Sequence, residues 1–196
     1  MRRLVRAPAS LSQGREIIMV LTAREAQYCS NIADRQRRLQ EFVAATRLGD
    51  PEDPAQWLRV LTEIRAIQGN LSNDISFVAT LMAKQYLATR FGVANFDAAA
   101  KPQGAAGLDI QAQAADGRRV AAELKTTVPY LAHDFGAQQK HTFKRDFEKL
   151  RKAEAEIKVF FVTDHVAFTA LRATKYRSQL AGITVVLLTT KDCFTN

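Results

Sequence analysis

Cysteine is scarce: Cys29 and Cys193 are the two in 196 residues. They stand far apart and form no CxxC, so a zinc ribbon and a dithiol redox pair are excluded. Such sparse use points to a reducing, cytosolic setting. Histidine is nearly as rare; His133, His141 and His165 show no HExxH spacing and read as ordinary surface or core residues. No run of 18 apolar residues occurs, which excludes a transmembrane helix. Acids are almost missing from the first 18 residues, where Glu16 stands against Arg2, Arg3, Arg6 and Arg15. That segment lacks the continuous apolar stretch of a secretory signal. It reads either as a basic arm or as an extension upstream of a start at Met19. No internal repeat and no low-complexity linker is present.

What is there suits one globular domain. Of the 196 residues, 47% are hydrophobic, enough for a sizeable core and too few for two large domains. Lys and Arg number 28 against 20 Asp and Glu, a net charge of +8 with a pI near 9.8. A basic balance suits a polyanionic partner, because each phosphate contact releases condensed counterions.

The first half has helical signals. Thr22-Ala-Arg-Glu25 has capping-box spacing and predicts a helix from Thr22 toward Arg47, broken by Leu48-Gly49-Asp50-Pro51. Asp53-Pro54 supplies an N-cap and a first-turn proline for a second helix to about Ile67. After Gly69-Asn70 a third helix is expected, roughly Ser72 to Arg90, with an apolar stripe of Ile75, Val78, Leu81, Met82 and Phe91.

The second half changes period. Leu108 to Ala114 and Arg119 to Lys125 alternate, with the turn signal Ala115-Asp116-Gly117 between them. A helix from about Gln138 to Glu156 follows, then a buried strand at 157–163, a helix from about Val166 to Leu180, and a second buried strand at 183–189. This order predicts an α/β fold with a mixed central β-sheet flanked by helices. The expected division is a helical N-terminal region over 1–68 and a core over 69–196.

Side-chain alternation decides the hairpin register. A two-residue loop at Asp116-Gly117 would pair Asp109 with Leu124 and set polar faces beside apolar ones. A three-residue loop, Ala115 to Gly117, pairs Asp109 with Glu123, Gln111 with Ala121 and Gln113 with Arg119. Leu108, Ile110, Ala112, Ala114, Val120, Ala122 and Leu124 then share one face. Gly117 sits where such a loop needs a left-handed residue. The chosen register sets Asp109 beside Glu123, with Lys125 on the same face.

Opposed positions hold their Cβ atoms about 4.5–5.5 Å apart. Two unpaired carboxylates at that range repel, and one should protonate. A hard divalent cation removes the conflict, so Mg²⁺ is the expected cofactor, with Mn²⁺ as a substitute. Such a cation would activate a bound water against a phosphodiester. Lys125 would orient that water or stabilise charge on the phosphate.

Gly107-Leu-Asp109, then 13 residues, then Glu123-Leu-Lys125 resembles the PD-(D/E)XK nuclease superfamily, which includes most type II restriction endonucleases. Leu108 stands where the family motif has Pro. The match in element order runs from about Asn70 to Thr189. The resemblance implies a restriction-endonuclease-like core and catalytic roles for Asp109, Glu123 and Lys125. It also implies metal binding by Asp109, Glu123 and the Leu124 carbonyl. Asp74, on the preceding helix face with Val78, Leu81 and Gln85, is a candidate supporting acid; an ordinary first-turn Asp favoured by the helix dipole is the other account. Gln139-Lys-His-Thr-Phe143 approaches the QxxxY pattern of some relatives. Gln139, Lys140, Lys144 and Arg145 are therefore candidate DNA contacts, with a merely solvated helix face as the alternative.

The function expected from this resemblance is Mg²⁺-dependent hydrolysis of double-stranded DNA by a sequence-specific type II restriction enzyme in bacterial or archaeal cytoplasm. A homodimer would match a palindromic site, with the helices before Gly69 and the 130–140 loop as candidate dimer or base contacts. A repair or recombination nuclease of the same fold is the second function. A non-catalytic nucleic-acid binder is the third. Glu156-Ile-Lys158 repeats the ExK pattern, but Asp146, its well-spaced upstream acid, falls on an expected helix and builds no paired-carboxylate face.

Overall fold

The computed structural model describes residues 20–46, 52–102, 105–130 and 134–196. The basic segment before Met19, the expected break at Leu48 to Pro51 and His133 lie outside them.

Three helices come first: α1 (Ala23–Ala45), α2 (Pro54–Gln68) and α3 (Leu71–Phe91). Each starts where capping chemistry demands. Thr22 and Glu25 form the reciprocal capping box of α1, Asp53 caps α2 ahead of Pro54, and Asn70 caps α3. Gly92 ends α3 in the left-handed conformation, φ 65°. The rest is β1 (Ile110–Gln113), β2 (Arg119–Lys125), α4 (Ala137–Lys152), β3 (Ile157–Val162), α5 (His165–Leu171), α6 (Thr174–Arg177), β4 (Thr184–Leu187) and β5 (Cys193–Thr195).

The fold is α/β: one five-stranded mixed sheet in the order β1-β2-β3-β4-β5, flanked by helices. The outer pairs β1–β2 and β4–β5 are antiparallel; β2–β3 and β3–β4 are parallel. α3 covers one face. Its Ala79, Ala83 and Leu87 pack on Ile110, Val120, Ala122, Val159, Phe161 and Val186. α4, α5 and α6 cover the other, where Phe143, Phe147 and Leu150 of α4 meet Ala121, Phe160 and Val185.

The hairpin has the predicted register, with Gln111 opposite Ala121 and Gln113 opposite Arg119. Ala114 N–H donates to Arg118 at 2.9 Å, closing a three-residue loop with Gly117 at φ 88°. The hairpin tip is fixed to the end of α3: Ala115 N–H donates to the Phe91 carbonyl at 2.9 Å. A Cβ on Gly92 would stand 2.7 Å from that of Ala115, so only glycine fits there.

α1 is held to α3 by polar contacts as well as by packing. Glu25 is fully buried and receives Lys84 Nζ at 2.6 and 2.9 Å, Ala98 N–H at 2.6 Å and Thr22 N–H at 2.8 Å. Tyr28 stacks on Phe77 with ring centroids 4.0 Å apart.

Three expectations need correction. The α3 stripe is not Ile75-Val78-Leu81: Ile75 and Val78 are 47% and 44% exposed, and Gln85 is exposed. The helix is gripped on two sides instead, by the sheet through Ala79, Ala83 and Leu87 and by α1 through Phe77 and Leu81. Leu108 packs with the α4-side cluster and not with Ile110, because regular pairing begins only at Ile110. The single helix expected over 166–180 is two, α5 and α6, with the chain turning at Arg172-Ala173. β5 was not foreseen; its three residues lie just after a turn and carry no alternation long enough to register.

Candidate active site

Pairing within the hairpin brings Asp109 and Glu123 together at the open end of β1–β2. Asp109, one residue ahead of β1, is exposed, and its Oδ2 accepts the Leu124 N–H at 2.9 Å. That bond fixes the carboxylate against β2. Glu123 is 1% exposed. Burial first, then the charges of Asp109 and Asp146, push its carboxyl up to about 8; Lys149 works in the other direction. Both side chains line one cavity. The expected conflict between the carboxylates is therefore present, and the buried partner takes the proton.

Lys125 leaves the same face two residues on. Its Nζ lies 2.6 Å from Asp146 Oδ2 of α4. Asp146 is 1% exposed, and its other oxygen is 3.1 Å from Lys149 Nζ. Lys149 also reaches Glu123 Oε1 at 3.4 Å. Three acids and two lysines from the residue before β1, from β2 and from α4 thus meet at one site. They line a cavity of about 350 Å³ together with Ser76, Thr80, Asp97, Lys101 and Arg145.

Sequence reasoning missed Asp146 and Lys149 as members of this site. The available signal was the α4 stripe. Gln139, Phe143, Asp146 and Leu150 recur at helical spacing, and an acid in the middle of an apolar stripe needs a partner inside.

The remaining candidates lie elsewhere or do other work. Asp74 is turned inward but does not line the cavity; both its oxygens take Arg35 of α1 at 2.7 Å. Gln139 is 8% exposed. Its amide accepts from Tyr130 N–H at 3.1 Å and Gly136 N–H at 3.0 Å and donates to the Val128 carbonyl at 2.8 Å. It fastens the loop after β2 and is not presented to a ligand. Lys140 is ion-paired with Asp134 at 2.6 Å, as is Lys175. Lys144 is exposed, and Arg145 stands 63% exposed at the cavity rim.

The donor set fits one hard divalent cation. Among the described residues no three histidine, cysteine or acidic side chains converge as a cage. Asp109 and Glu123 supply two carboxylates, the number Mg²⁺ characteristically takes while keeping water and phosphate oxygens in its other positions. Asp146 is ion-paired with Lys125 and Lys149.

The class defined so far is an α/β domain with a paired-carboxylate, lysine-bearing cavity at a hairpin end. No protein-family model matches the sequence, and no curated protein and no solved structure matches it significantly. No helix among the described residues is long and apolar enough to cross a membrane.

Proposed function

We propose that this chain is a Mg²⁺-dependent endonuclease that hydrolyses phosphodiester bonds of double-stranded DNA on a restriction-endonuclease-like core. One observation carries the reading: Asp109 and Glu123 share the open end of one hairpin, with Lys125 held beside them in a single cavity.

Asp109 and Glu123 would hold the metal, with the Leu124 carbonyl available next to them. When bound, the cation supplies a water of lowered pKa and charge stabilisation at the phosphate. The protein's own groups do the rest. The Leu124 N–H keeps Asp109 in place. Glu123 would release its proton to solvent on binding the cation. Asp146 holds the Lys125 ammonium at the cavity, where it can orient the attacking water or donate to a phosphate oxygen as charge builds. Arg145 at the rim and Lys144 on the outer face of α4 would contact flanking phosphates.

The net charge of +8 supports a polyanionic substrate. Val43, Leu58 and Leu61 stay exposed on α1 and α2, a surface that a second copy would cover in a dimer cutting a palindromic site. The test is cleavage of supercoiled plasmid with Mg²⁺, comparing the wild type with Asp109→Ala and Glu123→Ala. Wild-type cutting at a fixed sequence, lost in both variants, supports a restriction enzyme. Cutting confined to junctions or damaged DNA favours a repair or recombination nuclease. DNA binding with no cutting by any of the three proteins favours a non-catalytic binder.

A further inference from the structure

We propose that the Lys149 ammonium is the resident counter-cation of the Asp109–Glu123 pocket, and that a divalent metal must displace it. This inference rests on the metal-dependent reading above.

Lys149 stands on α4 one turn beyond Asp146. Three oxygens from three parts of the chain surround its Nζ: Glu123 Oε1 at 3.4 Å, Asp146 Oδ1 at 3.1 Å and the Gly107 carbonyl at 3.4 Å. The Asp146 carboxylate, the Glu123 carboxyl and a backbone carbonyl are the oxygen-ligand class of a hard cation. Lys149 turns into this group although its side chain keeps 35% exposure and could reach solvent.

The ion pairs decide what happens on loading. Asp146 has Lys125 as well as Lys149, so it keeps a counter-charge if Lys149 leaves. Among the described residues, the cation in contact with Glu123 is Lys149 alone. Two positive charges arriving at Glu123 would repel the ammonium at short range. The lysine stem is flexible, so the ammonium can swing toward the rim beside Arg145, where a substrate phosphate would meet it. The same side chain then neutralises the pocket without metal and contacts substrate with it.

The test is Mn²⁺ binding to the DNA-free protein, read from the electron paramagnetic resonance signal of the free aqua ion. The proteins are wild type, Lys149→Met, Lys149→Gln, Lys149→Arg and Lys144→Met. Lys144 is exposed on the same helix and does not line the cavity, so its variant measures the effect of losing one distant positive charge. Lys149→Met and Lys149→Gln should each tighten Mn²⁺ binding about five-fold or more, Lys144→Met by less than about two-fold, and Lys149→Arg not at all. Met and Gln variants that bind Mn²⁺ no better than the Lys144 control overturn the proposal. Asp109→Ala and Glu123→Ala separate the two claims. If neither weakens Mn²⁺ binding, the metal site is wrong and the proposal falls with it. If both abolish binding while the Lys149 variants fail to tighten it, the metal site stands and only the counter-cation role is lost.

Discussion

Lys125 of β2 and Asp146 of α4 meet at 2.6 Å, with the carboxylate 1% exposed. A strand residue and a helix residue 21 positions apart therefore set each other's place at the cavity. An aspartate buried this deeply holds its partner in one position, and an ammonium held in one position is what catalysis at a phosphate needs.

Asp146→Asn keeps the shape of this contact and removes its charge. Turnover should fall by about ten- to a hundred-fold while DNA affinity stays within about three-fold, as expected for a group that positions another. Lys125→Ala should lower turnover at least as much and leave Mn²⁺ binding in place. Steady-state cleavage alongside a DNA-binding titration checks both. Equal loss of binding and turnover in Asp146→Asn would show a general structural role.

The protonation of Glu123 makes a pH prediction. Its carboxyl moves from the ordinary 4.5 to about 8 in the folded chain. Between those values the native state holds a proton that the unfolded state has lost. The group's contribution is complete below the unfolded value and is lost as pH rises through about 8. Thermal unfolding in EDTA should show Tm falling from about pH 5 to about pH 8 and levelling above, and Glu123→Gln should flatten that slope. Mg²⁺ binding must expel the same proton, so affinity should rise with pH up to about 8 in the wild type. An unchanged Tm slope in Glu123→Gln would assign the titration to another group.

Asp74 gives a stability prediction that separates it from the site. Both its oxygens accept from one Arg35 nitrogen, Nη2, which ties α3 to α1. Asp74→Ala should lower stability by about 1–3 kcal/mol, because a partly buried Arg35 loses its partner, and leave Mg²⁺-dependent cleavage intact below the new Tm. A variant of unchanged Tm with no activity would return Asp74 to the metal site.

Glu25 and Lys84 form the deepest ion pair of the N-terminal region, with side chains 0% and 9% exposed. Removing one partner should cost about 3–5 kcal/mol by stranding the other charge. Glu25→Ala should be the worse of the two, since Glu25 also accepts the Thr22 and Ala98 N–H groups. Chemical denaturation of both single variants and of Glu25→Ala/Lys84→Met measures this. A double variant less stable than the sum of the singles would contradict it.

Much of the hairpin was legible in the sequence. A period of two, a turn ending in Gly117 and the need to bury Ile110, Val120, Ala122 and Leu124 left one register, and that register paired Asp109 with Glu123. The first two helix starts were legible too, because Thr22 and Asp53 satisfy backbone donors locally. What depended on packing from a distance was not. Ile75 and Val78 follow a helical period but face outward, since α1 and the sheet grip α3 at other positions. Asp146 and Lys149 lie more than 20 residues beyond Glu123, and nothing local says that α4 folds over β2. Gln139 resembled a ligand-facing residue, yet its amide is consumed by the backbone of the loop it closes.

Gly92 stands at the other end of the hairpin from the acids. With no room for a methyl group against Ala115, any replacement there would push the hairpin tip away from α3. A stiff two-stranded ribbon pivots as a lever, so a small displacement at the tip would tilt Asp109 relative to Lys125 and Asp146. The precision of the chemistry is guarded at a fulcrum that touches none of it.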